Sequence, residues 1–135
     1  MSHFTVIKTQ ISDIEGLVKA LDDSGFKQVE IYAEAQNLYG YTGDKRSQTA
    51  EVIIRRKYVG EASNDIGFKR QPDGVFEAII SAYDRHKYSS AWLEQLTQRY
   101  SYHVAKAKLT AQGFDLVTEE KQTDGRIHLV ARRTV

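Results

Sequence analysis

The chain has no cysteine. That excludes disulfides, thiolate zinc sites, iron–sulfur clusters and thiol nucleophiles together. It has one proline, so proline-rich linkers are absent and the elements must be joined by glycine and polar turns. No apolar run approaches the roughly 18 residues that a membrane span needs. The start, Met1-Ser2-His3-Phe4-Thr5-Val6-Ile7-Lys8, lacks the basic beginning and long apolar stretch of a signal peptide. A cytoplasmic protein without a membrane span is the expectation. Charge of one sign is also missing: 19 Lys and Arg face 18 Asp and Glu. The resulting pI of about 7.9 lies below the usual range of a dedicated nucleic-acid binder.

What is present is an ordinary globular composition, 41% hydrophobic and 27% charged, in 135 residues. That length suits one compact domain over residues 1–135 and hardly two. Enough apolar surface exists to offset the entropy of ordering, so intrinsic disorder is disfavoured.

The periodicities predict an α+β fold. Residues 3 to 9 alternate as a strand. Ser12 and Glu15 have capping-box spacing. Ile14, Leu17, Val18 and Leu21 make an apolar helical stripe that should end at Gly25, giving a helix over about 12 to 24. Val29, Ile31, Ala33 and Ala35 alternate with Glu30, Tyr32 and Glu34, which predicts a strand with the first set buried. A polar loop is expected from Asn37 to Gln48, then a strand from Glu51 to Tyr58. Ile66 to Gln71 and Val75 to Ala82 should pair around the turn Pro72-Asp73-Gly74. Ser89 or Ser90 caps a second helix with the stripe Leu93, Leu96, Tyr100, Val104, Ala107 and Ala111, ending at Gly113. A last hairpin, Leu116 to Gln122 with Arg126 to Arg133, turns at Thr123-Asp124-Gly125.

The order β-α-β-β-β-β-α-β-β predicts a mostly antiparallel sheet with both helices on one face and the other face open to solvent or a partner. Leu21-Asp22-Asp23-Ser24-Gly25-Phe26 and Leu109-Thr110-Ala111-Gln112-Gly113-Phe114 share one pattern. Two helix–strand junctions solving one capping problem account for it without duplication.

Several blocks resemble a known family. They are the opening Met1-Ser2-His3-Phe4-Thr5-Val6-Ile7-Lys8-Thr9, the loop Tyr39-Gly40-Tyr41, and Asp65-Ile66-Gly67-Phe68-Lys69-Arg70 followed by Asp73-Gly74. Leu96-Thr97-Gln98-Arg99-Tyr100-Ser101-Tyr102-His103, Gly113-Phe114 and Asp124-Gly125 complete the series. In this order, and over nearly the whole chain, the blocks resemble the Ycf35 or DUF1257 family of cyanobacteria, algal plastids and cyanophages. The resemblance implies a soluble protein of the cytoplasm or plastid stroma, or of the cytoplasm of phage-infected cyanobacteria. It brings no established enzymatic activity, so no catalytic residues transfer. The segment Ser81 to Tyr88 departs from the family in being more polar and lacking a tryptophan.

Read as chemistry, the residues offer no enzyme signature. His3, His86, His103 and His128 are scattered without metal-ligand spacing, and no cofactor is expected. Gly-rich phosphate loops and nucleophile elbows are absent. Arg99, Tyr100 and His103 share a helical face and form one cluster suited to anion binding or proton transfer. The plainer account is a half-buried tyrosine and histidine bonded to neighbours. Glu30 and Glu34 share one strand face, where solvation accounts for them.

Charge is unevenly spread. Residues 11 to 36 hold six acids and two bases, and residues 45 to 70 hold seven bases and three acids. The basic stretch adjoins tyrosines. Tyr39, Tyr41, Lys45, Arg46, Arg55, Arg56, Lys57 and Tyr58 are therefore the expected partner-binding residues. Strand alternation would split Arg55 and Lys57 from Arg56. Tyrosine and arginine are enriched at protein hot spots, so a non-enzymatic module binding a protein or a second copy of itself is the first expectation. A domain binding RNA or DNA through the same surface is the second. An enzyme with a cleft near Tyr100 and His103 is the third.

Overall fold

A computed structural model describes residues 3–121 and 127–133, with side chains up to Gly113. The elements run β1 (Phe4–Lys8), α1 (Ile14–Asp23), β2 (Glu30–Tyr39), β3 (Lys45–Ile54), α2 (Arg56–Val59), β4 (Ile66–Arg70), β5 (Phe76–Ser81), α3 (Ser90–Ala111), β6 (Phe114–Lys121) and β7 (Ile127–Arg133). A single 3-10 turn, Asp84–His86, precedes α3. The fold is α+β with the expected order of strands and long helices. Strands β1-β5-β4-β3-β2 form one antiparallel sheet, and β6 pairs with β7 in a separate ribbon. The turn expected at Thr123-Asp124-Gly125 lies outside the described residues.

Both long helices pack on one sheet face. Leu17, Ala20 and Leu21 of α1 and Leu93, Leu96 and Tyr100 of α3 close over Val52, Ile54, Ile66, Phe68, Phe76, Ala78 and Ile80. Full burial of each large side chain contributes about 1.5–3 kcal/mol. The helix termini follow local chemistry. The Asp13 carboxylate accepts the Gly16 N–H at 2.8 Å and caps α1. The expected cap at Ser12 is thus displaced by one residue, because the Ser12 and Asp13 N–H groups both donate to the Tyr100 hydroxyl at 3.0 Å. The Ser89 side chain caps α3.

Three expectations are corrected by tertiary contacts. The loop expected at Asn37 to Gln48 is mostly strand: β2 and β3 form a long hairpin with a tight turn over residues 40–44. Register shifts between Ile31 and Gln36 and between Asn37 and Tyr39 mark bulges, which increase local twist and bend a strand. The hairpin's distal half therefore folds over the sheet face that was expected to lie open. There Leu38 and Ala50 join Phe4, Ile53 and Ile79 in a second core.

Gly67 makes this closure sterically feasible. A Cβ at that position would stand 2.7 Å from the Ala50 Cβ and 3.0 Å from a Leu38 methyl. The strand expected from Glu51 to Tyr58 ends at Ile54, and Arg56–Val59 is helical. Lastly, Ile31 is 50% exposed and Ala33 is exposed, so the predicted buried face of β2 is only partly covered. β2 is an edge strand of the sheet, with β3 on one side only.

Candidate interaction surface

A buried polar strip sits at the end of the sheet where β3 ends, β4 begins and β5 ends. Ser63, Asn64, Asp65, Ser81 and Asp84 are all buried. Burial of such groups is costly unless each is hydrogen-bonded, and here the bonds form a connected set. The Asp84 carboxylate accepts from the Ser81 hydroxyl (2.8 Å) and the Asn64 N–H (2.9 Å). The Asn64 amide donates to the Ser81 hydroxyl (2.9 Å), and its oxygen accepts the Tyr41 N–H (2.9 Å). Asp65 accepts the Tyr39 N–H (2.8 Å), the Arg56 N–H (2.7 Å) and an Arg55 guanidinium N–H (2.8 Å). The Tyr39 carbonyl accepts the Asp65 N–H in return.

The strip fixes the hairpin turn, α2 and the turn after β5 to one another. This explains the break at Arg55: Asp65 takes the Arg56 N–H that a continuing strand would have given to a neighbour. Sequence reasoning missed these residues. Asn64-Asp65 immediately before a buried strand, and Ser81 three residues before Asp84, were the available signals.

Four tyrosines emerge around the strip. Tyr39 is 37%, Tyr41 42%, Tyr58 43% and Tyr83 52% exposed. Each lies within a few residues of an anchoring bond, Tyr39 and Tyr41 through their own N–H groups. Tyr83 was not among the expected residues, and its link is its neighbour Asp84. Gly40 belongs to this construction, since a Cβ there would sit 2.5 Å from the Asp44 carboxylate.

The expected basic patch is only partly available. Arg55 is internal to the architecture: it pairs with Glu30 and Asp65, each at 2.8 Å, and lies 5.6 Å from the Tyr39 ring centre. Burial works against its charge. The hydrogen bonds it donates to Asp65, Tyr32 and Glu30 outweigh burial and hold the guanidinium more firmly protonated than usual. Arg46 stacks over Phe4 on the second core at 4.9 Å. Arg56 donates to the Tyr41 carbonyl, and its buried Nε has no partner among the described residues. The Lys57 amine lies 5.0 Å from the Tyr58 ring centre, and Lys45 is exposed at the start of β3. The structure thus gathers Tyr39, Tyr41, Arg56, Lys57 and Tyr58, and leaves Arg46 and Arg55 as supports. The predicted split between Arg55 and Arg56 by strand alternation does not arise, because neither lies within a strand.

Glu30 is held by Arg55 and by the Tyr32 hydroxyl. Burial raises its pKa, but these bonds and the Arg55 and Lys57 charges bring it below the ordinary glutamate value. It is a stable anion and a poor proton donor near neutrality.

The cluster of Arg99, Tyr100 and His103 divides. Tyr100 turns to the start of α1, whereas Arg99 and His103 converge on Asp23 at its end. Arg99 Nε and Nη2 approach the carboxylate at 2.9 and 2.8 Å, and His103 Nε2 at 2.6 Å. Partial burial raises the Asp23 pKa. The bonds from His103 and Arg99, with their charges, outweigh it and leave the carboxyl below its ordinary value. A shallow cavity of about 300 Å³ adjoins His103 and is lined by Val18, Lys19, Asp22, Asp23, Phe26, Lys27 and Val29. No hydroxyl lines it. The arrangement is an ion-paired clamp between α1 and α3, with an acid–base pair but no serine or threonine beside it. Among the described residues, no group of three or more His, Asp or Glu could hold a metal ion. None of the described helices is long and apolar enough to cross a membrane.

Comparison with known proteins gives a consistent result. The model of a family described as "Protein of unknown function (DUF1257)" matches residues 20–130. An "Uncharacterized protein ycf35" of Cyanophora paradoxa is 31% identical over 134 residues, which cover 98% of each chain. Proteins of the same description from Pyropia yezoensis and Guillardia theta are 25% and 29% identical, again over 98% of each chain. No solved structure matches.

Proposed function

Because the chain belongs to the DUF1257 family, whose description names no activity, its surface must supply the functional reading, and we propose a non-enzymatic interaction module that binds an acidic protein. The docking surface is the tyrosine-flanked end of the sheet: Tyr39, Tyr41, Tyr58 and Tyr83, with Arg56 and Lys57 among them. The observation that carries this reading is the exposure of four tyrosines around one buried hydrogen-bonded strip. Tyrosine offers large contact area for little side-chain entropy, and a rigid support lowers the ordering cost of binding further. The cytoplasm of a cyanobacterium, or a plastid stroma, is the setting that fits.

Single-stranded RNA or DNA would use the same side chains, by base stacking and phosphate neutralisation. The internal pairing of Arg55 and the stacking of Arg46 take two of the expected cations out of a path for phosphates, which supports a protein partner. The test compares the unaltered chain with a Lys57→Glu/Tyr58→Ala variant, both used as bait in cyanobacterial lysate and both titrated against labelled single strands. The expected result is a defined set of acidic proteins lost with the variant, and no gel shift at tens of micromolar protein in physiological salt. An equal set from both baits, or a shift abolished by the variant, overturns the reading.

A further inference from the structure

We infer that β1 is a self-docking edge through which two copies of the chain join their sheets about a two-fold axis at Val6. The inference does not rest on the function proposed for the tyrosine end, which β1 meets only at its start, where Phe4 pairs with Ser81.

Among the described residues β1 pairs on one side only, with β5, in unbroken register from Phe4 with Ser81 to Lys8 with Glu77. The Ala82 N–H donates to the His3 carbonyl at 2.9 Å, so His3 and Ala82 form a hydrogen-bonded pair. In an antiparallel ladder such pairs alternate. Thr5 and Ile7 therefore also face β5, and the N–H and C=O groups of Phe4, Val6 and Lys8 point outward. Edges of this kind are usually protected by bulges, proline or inward charge. The opposite edge, β2, is bulged. β1 is regular and has no such protection apart from Lys8.

The outward groups are self-complementary. An antiparallel copy centred on Val6 sets Val6 against Val6, Phe4 against Lys8, and Lys8 against Phe4. Every outward residue then meets an outward residue, which gives about six hydrogen bonds across the seam.

The side chains agree with this register. Val6, at its centre, is 57% exposed, the highest value for a large hydrophobic residue among those described. Pairing buries it against its own copy. On the helix face a groove of about 650 Å³ runs between β1 and α3, with Ile7 and Leu93 as its apolar lining and Thr9, Gln10 and Glu94 at its polar end. Alternation places His3 on that same face, and the register sets it opposite Thr9 of the second copy. The exposed His3 of each copy thus reaches the groove of the other beside Glu94. The two Lys8 ammonium groups stand four strand steps apart, about 14 Å, beyond the screening length at physiological salt. A single short strand buries less than the ~800 Å² per partner of a standard interface, so the pairing is weak and concentration-dependent.

The absence of cysteine gives a clean test. Directly opposed residues of a hydrogen-bonded pair have Cα atoms about 5.5 Å apart, within the span of a disulfide. A Val6→Cys variant should form a disulfide-linked dimer under mild oxidation at least about tenfold faster than Ile31→Cys on the opposite edge, because association raises the local thiol concentration. In sedimentation velocity the unaltered chain should shift towards dimer as concentration rises. Val6→Lys should stay monomeric with an unchanged circular dichroism melt. Equal crosslinking rates for Val6→Cys and Ile31→Cys overturn the proposal. So does an unaltered chain that remains monomeric to about 1 mM.

Discussion

Asp65 shows how much a single side chain decides. Its two oxygens take two backbone N–H groups and the Arg55 guanidinium at a position only 1% exposed. Replacing it by alanine takes away one of the two carboxylates that hold Arg55, leaving Glu30 alone, and leaves two amide donors unpaired in a dry site. Asp65→Ala should therefore lose about 3–5 kcal/mol of stability, read as a lower midpoint in urea unfolding. The same reasoning changes how the basic stretch is probed. Arg55→Glu places a carboxylate against Asp65 and Glu30 and should unfold the chain, whereas Lys57→Glu, on an exposed residue, should leave the urea midpoint nearly unchanged.

Tyr100 makes a smaller contribution of the same kind. Tyr100→Phe removes the shared acceptor of two N–H groups ahead of α1 and should lower stability by about 1–3 kcal/mol. At Asp23 the folded-state pKa lies below the unfolded value. The stability it contributes is therefore complete above that unfolded value and is lost as pH falls through the folded one. Acid unfolding curves taken below about pH 4 should show a shallower loss for Asp23→Asn than for the unaltered chain. A steeper loss for the variant would assign no stabilising role to the clamp. Neither Arg55 nor Asp23 could be read from local sequence. Their partners stand 25 and 10 residues away in the first case and 76 and 80 in the second.

Elements with their own local signals were legible. The stripe of α1, the glycines after α1 and α3, and the Pro72-Asp73-Gly74 turn all act within a few residues and appear where expected. The α3 stripe is buried at Leu93, Leu96 and Tyr100 but exposed at Ala107 and Ala111, past the point where α1 covers it. The β2–β3 hairpin was not legible as such. Residues 37–48 carry polar side chains because much of the hairpin lies on the surface. Its strand character comes from ladder bonds and from the anchors Asn64 and Asp65, far along the chain. Its fold back over the sheet depends on Gly67. In Gly67→Ala the added methyl meets the Ala50 Cβ, which is fixed to the backbone and cannot swing away, and the methyls of the fully buried Leu38. The expected loss is about 1–3 kcal/mol, with amide exchange accelerated in residues 36–50 more than in α3. Uniform acceleration across the chain would show that the hairpin does not open as a separate unit.

At the scale of the whole molecule, the near-balance of charge conceals an ordered division. Acids of the first helix and strand meet bases from later elements: Asp23 with Arg99, Glu30 with Arg55. Part of the charge asymmetry along the sequence is thus neutralised by pairing between elements. What remains outside is an aromatic end with few free cations, and a separate unprotected strand edge. The first is the surface proposed above for a protein partner, and the second the edge proposed for another copy of the chain. The most direct measurement of the partner-binding claim is photo-crosslinking in cyanobacterial cells from a benzophenone amino acid placed at Tyr58, with Glu15 on α1 as the control position. Discrete protein adducts from position 58, absent from position 15, are the predicted result. Identical adducts from both positions, or adducts that are nucleic acid, would contradict it.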